Sequence, residues 1–285
     1  MTADQTTAPQ RPGVRLRVLT YNIHGQRDDR AALAEVVRQI APDVAILQEA
    51  PRRWRWRTRS AALANAFEMV VGSGGPPPLG NLVLTTLRVR VGSTWSVRFP
   101  LTPGRHLRGA VFARCAVGSA RFVVVGSHLS TDPTERPAQA RLLRQACADV
   151  DGPVILGLDV NDPPADPDDL SSPGTAARPG TAARPGTAAR LGTAAPPPDD
   201  TGAAWRLAAA GFTDAAAAAG AGRAGTFPGR DPRRRIDAIF VDPRIEVAGC
   251  RVVDTAAARR ASDHLPVVAD LVLTEPAPGL DKRGG

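Results

Sequence analysis

Asp159 and Asn161 stand two residues apart in Gly157-Leu158-Asp159-Val160-Asn161-Asp162, directly after the apolar run Val154-Ile155-Leu156. An extended chain alternates its side chains between two faces, so the acid and the amide are expected to point one way and Leu158 and Val160 the other. Other strand-like runs carry groups of the same kind at their ends. Asn22 follows residues 16–21, Glu49 follows 44–47 and His128 follows 122–126. Asp237 lies within 235–241, and Asp263-His264 precedes 267–273. Each alone says little, because a Glu after a strand is usually a solvated cap and a single His is more often structural than catalytic. Gathered at one end of successive strands they would share a pocket, with strands fixing position and loops giving access. Carboxylate and amide oxygens without cysteine suit a hard cation such as Mg²⁺ or Mn²⁺ rather than zinc or copper. Two histidines near carboxylates suit proton transfer and charge stabilisation at neutral pH. A cation with such histidines is the equipment for activating water against a phosphate ester.

Positioning these groups requires an ordered series of elements. Alternation over 16–21 predicts a strand, and Leu33, Val36, Val37 and Ile40 at helical spacing predict a helix over 30–40 that Pro42 stops. Residues 44–47 read as a buried strand, and 72–80, with three successive prolines, as a loop. Short strands at 81–84, 89–91 and 95–97 read as a meander, followed by a loop carrying Arg105, His106 and Arg108. A hairpin over 110–117 and 122–126 turns at Gly118-Ser119. A helix over 134–149 places Ala138, Leu142, Leu143 and Ala146 on one face. After the strand at 154–158 come an Ala-rich helix near Trp205 and strands at 235–241, 247–253 and 267–273. Strand, helix and strand recur twice in the same order, which implies two similar halves packed sheet against sheet.

Two stretches stand apart. Residues 52–59, Arg-Arg-Trp-Arg-Trp-Arg-Thr-Arg, follow Glu49 directly and admit two readings. They form either a surface that grips phosphates and stacks on bases or sugars, or an amphipathic helix whose tryptophans enter the core. Pro173-Gly174-Thr175-Ala176-Ala177-Arg178 recurs at Pro179 and Pro185 and decays over 191–195. A hexapeptide with Pro-Gly in each copy holds neither helix nor ladder, so a disordered surface insertion is expected at about 163–200.

The chain of 285 residues, 43% hydrophobic and 22% charged, suits one sizeable globular α/β domain over 15–274 with loose tails at 1–14 and 275–285. Aromatics are scarce at 4%, so Val, Leu and Ala must fill the core. The net charge of +8 supports an anionic substrate only weakly, because Lys282 is the single lysine and the arginines follow an Ala-, Gly- and Pro-rich composition. Three separated cysteines without CxxC spacing indicate neither a zinc site nor a disulfide scaffold, and so a reducing, cytoplasmic compartment. The amino terminus lacks a basic and apolar leader pattern, and no apolar run approaches the roughly 18 to 20 residues of a membrane span. No segment suggests an obligate protein partner, and a monomer is expected.

Seven stretches together resemble the endonuclease/exonuclease/phosphatase superfamily in order and spacing. They are Thr20-Tyr21-Asn22-Ile23-His24-Gly25, Leu47-Gln48-Glu49, Gly80-Asn81-Leu82-Val83-Leu84, Ser127-His128-Leu129, Asp159-Val160-Asn161, Arg235-Ile236-Asp237 and Ser262-Asp263-His264-Leu265-Pro266. The resemblance runs from about Arg17 to Leu273, omitting the repeats. It implies a four-layer α/β/β/α sandwich of two mixed sheets flanked by helices. It also implies that Glu49 is the principal ligand of Mg²⁺ or Mn²⁺, with Asn22 and Asp263 close to the ion. His264, oriented by Asp237, would act as general base or phosphate stabiliser. Asp159 would position or deprotonate the attacking water, Asn161 would hold the water or the phosphate, and His128 would stabilise charge or protonate the leaving oxygen. Leu158 departs from the family pattern, which often places Gly immediately before this acid; here Gly157 lies one position further back.

The implied activity is hydrolysis of a phosphoester, with nucleic acid the leading substrate class. The Arg-Trp stretch and the loop of Arg105 and Arg108 would border the pocket, with Asn81 beside them. The same site could instead serve a lipid headgroup or sugar phosphate. A binding module without turnover is the third reading, and its signature, loss of Glu49, Asp159 or His264, is not present.

Overall fold

The computed structural model describes residues 13–164 and 202–274. The expected tails and repeat insertion lie outside those residues, apart from Gly13 and Val14, which pair with Thr274 and Leu273, and residues 163 and 164. The first half runs β1 (Gly13–Asn22), α1 (Arg30–Ile40), β2 (Val44–Gln48), α2 (Trp56–Ala66), β3 (Val70–Ser73), β4 (Leu82–Thr85) and β5 (Arg90–Arg98). It continues with β6 (Gly109–Val117), β7 (Ala120–His128), α3 (Arg136–Ala148) and β8 (Val154–Asp159). The second stretch holds α4 (Ala203–Ala209), β9 (Thr213–Asp214), α5 (Ala215–Ala218), β10 (Asp237–Val241), β11 (Ile245–Val252), α6 (Ala256–Ala261) and β12 (Val267–Thr274).

These strands make two six-stranded mixed sheets, ordered β11-β12-β1-β2-β4-β3 and β5-β6-β7-β8-β10-β9. Val18, Ile46, Val83, Val111, Val124 and Ile155 fill the space between them. Helices α1, α2 and α6 cover the outer face of the first sheet, and α3 and α4 that of the second. The four-layer sandwich implied by the resemblance is therefore the observed fold. Sheet meets sheet closely where Ile46 sits over the paired glycines Gly126 and Gly157: a Cβ on Gly157 would lie 2.7 Å from Ile46 Cδ1. Gly157 thus serves packing between the sheets, while Leu158 is buried on the opposite face.

The topology gathers the polar ends. Strands β1 and β2 are parallel and finish together, with Asn22 beside Gln48. Strands β7 and β8 are parallel and finish with His128 beside Asp159. Antiparallel β10 begins with Asp237 opposite Asp159, and antiparallel β12 begins with Val267 opposite Thr20.

Three expectations need correction. The strands at 81–84, 89–91 and 95–97 are not a meander: β4 ends in the first sheet, and 90–98 is one strand of the second, bulged between Val91 and Thr94. The buried face of α3 is Gln139, Ala140, Leu143 and Cys147, with Ala138 and Leu142 exposed. Gln139 enters the interior because its Oε1 accepts the Ser130 N–H at 2.8 Å, a reason hydropathy does not register. Strand β8 stops at Asp159, so alternation does not carry on to Asn161, whose φ of 56° is left-handed. Helix α6 was not foreseen.

Candidate active site

Asp159 is fully buried and its Oδ2 is the focus of the site. Asn22 Nδ2 donates to it at 2.9 Å, His128 Nε2 lies 3.2 Å away and His264 Nε2 3.8 Å away. Its other oxygen accepts the Asn161 N–H at 3.0 Å, which stabilises the left-handed turn after β8. Arg136 closes that turn from outside by donating to the Asn161 carbonyl.

His264 is held from three sides. Its Nδ1 lies 2.9 Å from Asp237 Oδ2, its backbone N–H donates to Ser262 Oγ at 3.3 Å, and its ring packs 4.9 Å from that of Phe227. The Ser262 hydroxyl donates in turn to the Asn22 carbonyl at 2.7 Å. Thr226 Oγ1 accepts the N–H groups of Ile236 and Asp237, fixing where the acid enters. Burial alone would lower the His264 pKa. The charges of Asp237 and Asp159 and the hydrogen bond to Asp237 outweigh it and push the value up to about 10.

His128 is driven the other way. Burial lowers it, Asp159 opposes that, and Arg108 adds to it, leaving it down at about 3. Arg108 Nη1 lies 2.9 Å from His128 Nδ1, and a guanidinium can only donate. The ring proton therefore sits on Nε2, facing Asp159. The Asn161 amide nitrogen stands 3.0 Å from that same Nε2 while donating to the Leu129 carbonyl at 3.1 Å. Donors thus crowd around one carboxylate oxygen, an arrangement suited to a phosphoryl oxygen entering among them.

Glu49 is half-buried in a left-handed conformation with φ 54°, and its Oε1 lies 3.5 Å from Asn22 Nδ2. It forms no ion pair among the described residues. Such backbone strain in a non-glycine residue persists where surroundings over-determine it; here the Ala50 N–H is held by the Gly80 carbonyl at 2.8 Å. Asp263 is half-exposed, its Oδ2 3.7 Å from His24 Nε2, while His24 Nδ1 lies 2.7 Å from Asp28. Asn22 turns its amide nitrogen, not its oxygen, into the site; the oxygen accepts the His24 N–H at 3.0 Å. Among the described residues, the cluster whose ligand atoms lie within 4.8 Å of one another is Asp159, Asp237 and His264. Each of the three offers one ligand atom, so the cluster could hold a divalent ion with His264 deprotonated.

Beside Glu49 opens a cleft of ≈ 540 Å³ lined by Arg27, Arg52, Arg53, Arg59 and Arg108. Two residues expected to face substrate do not reach it. Arg105 pairs with Asp132, and buried Asn81 spends both amide hydrogens on the Pro78 and Gly109 carbonyls, at 2.7 and 3.0 Å. Trp54 is 81% exposed, so it does not enter the core, and Trp56 packs against Gly75 at the start of α2. Sequence reasoning passed over Arg27, His24, Ser262, Thr226 and Arg136 as site residues. His24 and Ser262 lie inside the quoted motifs, whereas Thr226 and Arg136 carry no local signal.

No curated protein sequence matches the chain. Solved structures that share the fold include an endonuclease/exonuclease/phosphatase from Bacteroides vulgatus, at 17% identity and TM-score 0.64 over 91% of this chain and 99% of that one. A mannosyl-6-phosphatase from Bacteroides thetaiotaomicron matches at 15% identity and TM-score 0.62 over 90% and 100%. TDP2 from D. rerio, complexed with a single-strand DNA product, matches at 17% identity and TM-score 0.61 over 90% and 98%. Among the described residues, no helix is long and apolar enough to cross a membrane. Residues 19–264 match the model of the Endonuclease/Exonuclease/phosphatase family, so the chain belongs to that family and is a metal-dependent phosphoesterase.

Proposed function

We propose that the protein hydrolyses phosphodiester bonds in nucleic acid, using Mg²⁺ or Mn²⁺. The observation that carries the substrate class is the cleft of five arginines beside the donor cluster, with Glu49 the acidic residue in its lining. Guanidinium groups take phosphates bidentately, and successive phosphates of a strand suit several of them at once. TDP2, a structural neighbour, was solved with a DNA product. A second reading, a phosphorylated small molecule, is favoured by the cleft's ≈ 540 Å³, a size typical of small-ligand sites, and a mannosyl-6-phosphatase is also a neighbour.

The residues present fit a hard cation: Glu49 and Asp263 offer carboxylate oxygens, and among the described residues Glu49 makes no ion pair. Glu49 and Asp263 would hold the ion, with Asn22 orienting Glu49 through its amide. When bound, it would neutralise charge on the phosphoryl oxygens. His264, kept as an imidazolium by Asp237 and Asp159, donates its Nε2 proton to a phosphoryl oxygen. Neutral His128, anchored by Arg108, donates from its own Nε2, and Asn161 adds an amide proton. Asp159 accepts the proton of the water that attacks phosphorus in line. Glu49→Gln and His264→Ala should each lower nicking of supercoiled DNA by about 100-fold or more at saturating Mg²⁺, with the fold unchanged by circular dichroism. Wild-type rates in either variant would sink the site assignment. Hydrolysis confined to sugar phosphates would keep the site and remove nucleic acid.

A further inference from the structure

At the far end of the second sheet, residues 90, 116 and 121 form one cross-strand row: Arg90 pairs with Ala116, and Ala116 with Arg121. Residues opposite one another in a ladder point to the same face. Arg90 and Arg121 therefore stand on either side of a methyl group, two strand spacings or about 10 Å apart at their backbones. Arg114, two residues before Ala116, shares that face. Its guanidinium lies 5.5 Å from the centre of the Trp95 ring and donates to the Asp151 carbonyl at 3.1 Å. The three arginines line one cleft of ≈ 380 Å³. Among the described residues none of the three forms an ion pair, and Arg90 and Arg121 make no side-chain hydrogen bond. Asp151 is the acidic residue of the lining, so two positive charges remain uncompensated.

We propose that this cleft is a second phosphate-binding site, separate from the catalytic one. Arg121 and His128 lie at opposite ends of β7, about 23 Å apart by strand rise, so one phosphate cannot touch both. Three like charges brought to one cleft with a single acid repel, and an anion held between them relieves the repulsion while giving each guanidinium a charge-assisted hydrogen bond. Ala116 leaves the floor open for a tetrahedral group, and Trp95 and the Asp151 carbonyl hold Arg114 ready. The shared chemistry is a phosphate, carried by a free phosphorylated molecule or by a nucleic-acid backbone.

The test uses the full chain in EDTA, where hydrolysis is off, titrated calorimetrically with pyrophosphate and with a single-stranded dodecanucleotide. The wild type should bind two pyrophosphates. Arg90→Ser/Arg121→Ser should bind one, with the lost site weakened about tenfold or more, while metal-dependent hydrolysis of bis(p-nitrophenyl) phosphate stays at wild-type rate. Arg121→Glu, which keeps a long side chain, should do the same. A backbone ligand would also lower dodecanucleotide affinity and shrink its salt slope by about 1.4 for two lost contacts. An unchanged slope with the pyrophosphate loss identifies a free phosphate as the ligand. The proposal is overturned if both variants retain two pyrophosphates and unaltered oligonucleotide binding. Because neither readout requires DNA hydrolysis, this result is independent of the substrate assigned to the catalytic cleft.

Discussion

His264 and His128 face the same carboxylate oxygen, yet one is held charged and the other neutral. Their effects on stability have opposite signs. His264, raised from 6.5 to about 10, contributes stability that is full below 6.5 and is lost as pH rises through 10. His128, lowered from 6.5 to about 3, contributes stability present above 6.5 and lost as pH falls through 3. Their sum peaks near pH 6.5. Urea midpoints measured across pH in EDTA should therefore fall on both sides of it. His264→Gln should flatten the alkaline limb, His128→Gln the acid limb, and an alkaline limb unchanged in His264→Gln would show that the imidazolium is not held there. The sequence could mark both histidines, because each follows or precedes a strand. It could not assign their charge, which depends on partners distant in sequence, Arg108 for His128 and Asp237 and Asp159 for His264. Asn161 was found for a reason that does not apply: a left-handed turn aims it, not strand alternation.

At the scale of elements, the site depends on how closely two sheets can approach. Ile46 of β2 presses on Gly126 and Gly157, so adding one methyl group at Gly157 leaves it 2.7 Å from Ile46 Cδ1 and 3.0 Å from Thr20 Oγ1. Gly157→Ala should cost about 1–3 kcal/mol. Ile46→Val removes the nearest atom and should return part of that loss in a double-mutant cycle on urea unfolding; strictly additive effects would contradict the contact. Most strands and α1 were legible because alternation and helical spacing are local patterns. The assignment of β4 and β5 to different sheets was not, since pairing is decided by partners distant in sequence. The face of α3 was misread for a related reason, as Gln139 is buried by a hydrogen bond rather than by hydropathy. Helix α6 is six residues, too short for a periodic signal, and is capped by Thr255, whose Oγ1 accepts the Ala258 N–H at 3.1 Å.

For the whole molecule, the two described stretches meet where the chain leaves β8 and returns at α4. Buried Asp162 accepts the Ala204 N–H at 3.0 Å, so residues on either side of 165–201 are already in contact. Trp205 then packs edge-on to Phe240, 5.4 Å between centres, and Arg235 pairs with Asp214 over the same ring. These contacts anchor the return without drawing on 165–201. Replacing that segment by a short Gly-Ser linker should keep cooperative unfolding and the hydrolysis of bis(p-nitrophenyl) phosphate. Shortening the loop should change stability by only about 1–2 kcal/mol, since closure entropy grows as the logarithm of length. Thermal unfolding and steady-state rates of the deletion variant decide the matter. A non-cooperative melt would mean that the segment completes the core against α4, whereas intact folding with altered rates on DNA alone would place it in substrate handling.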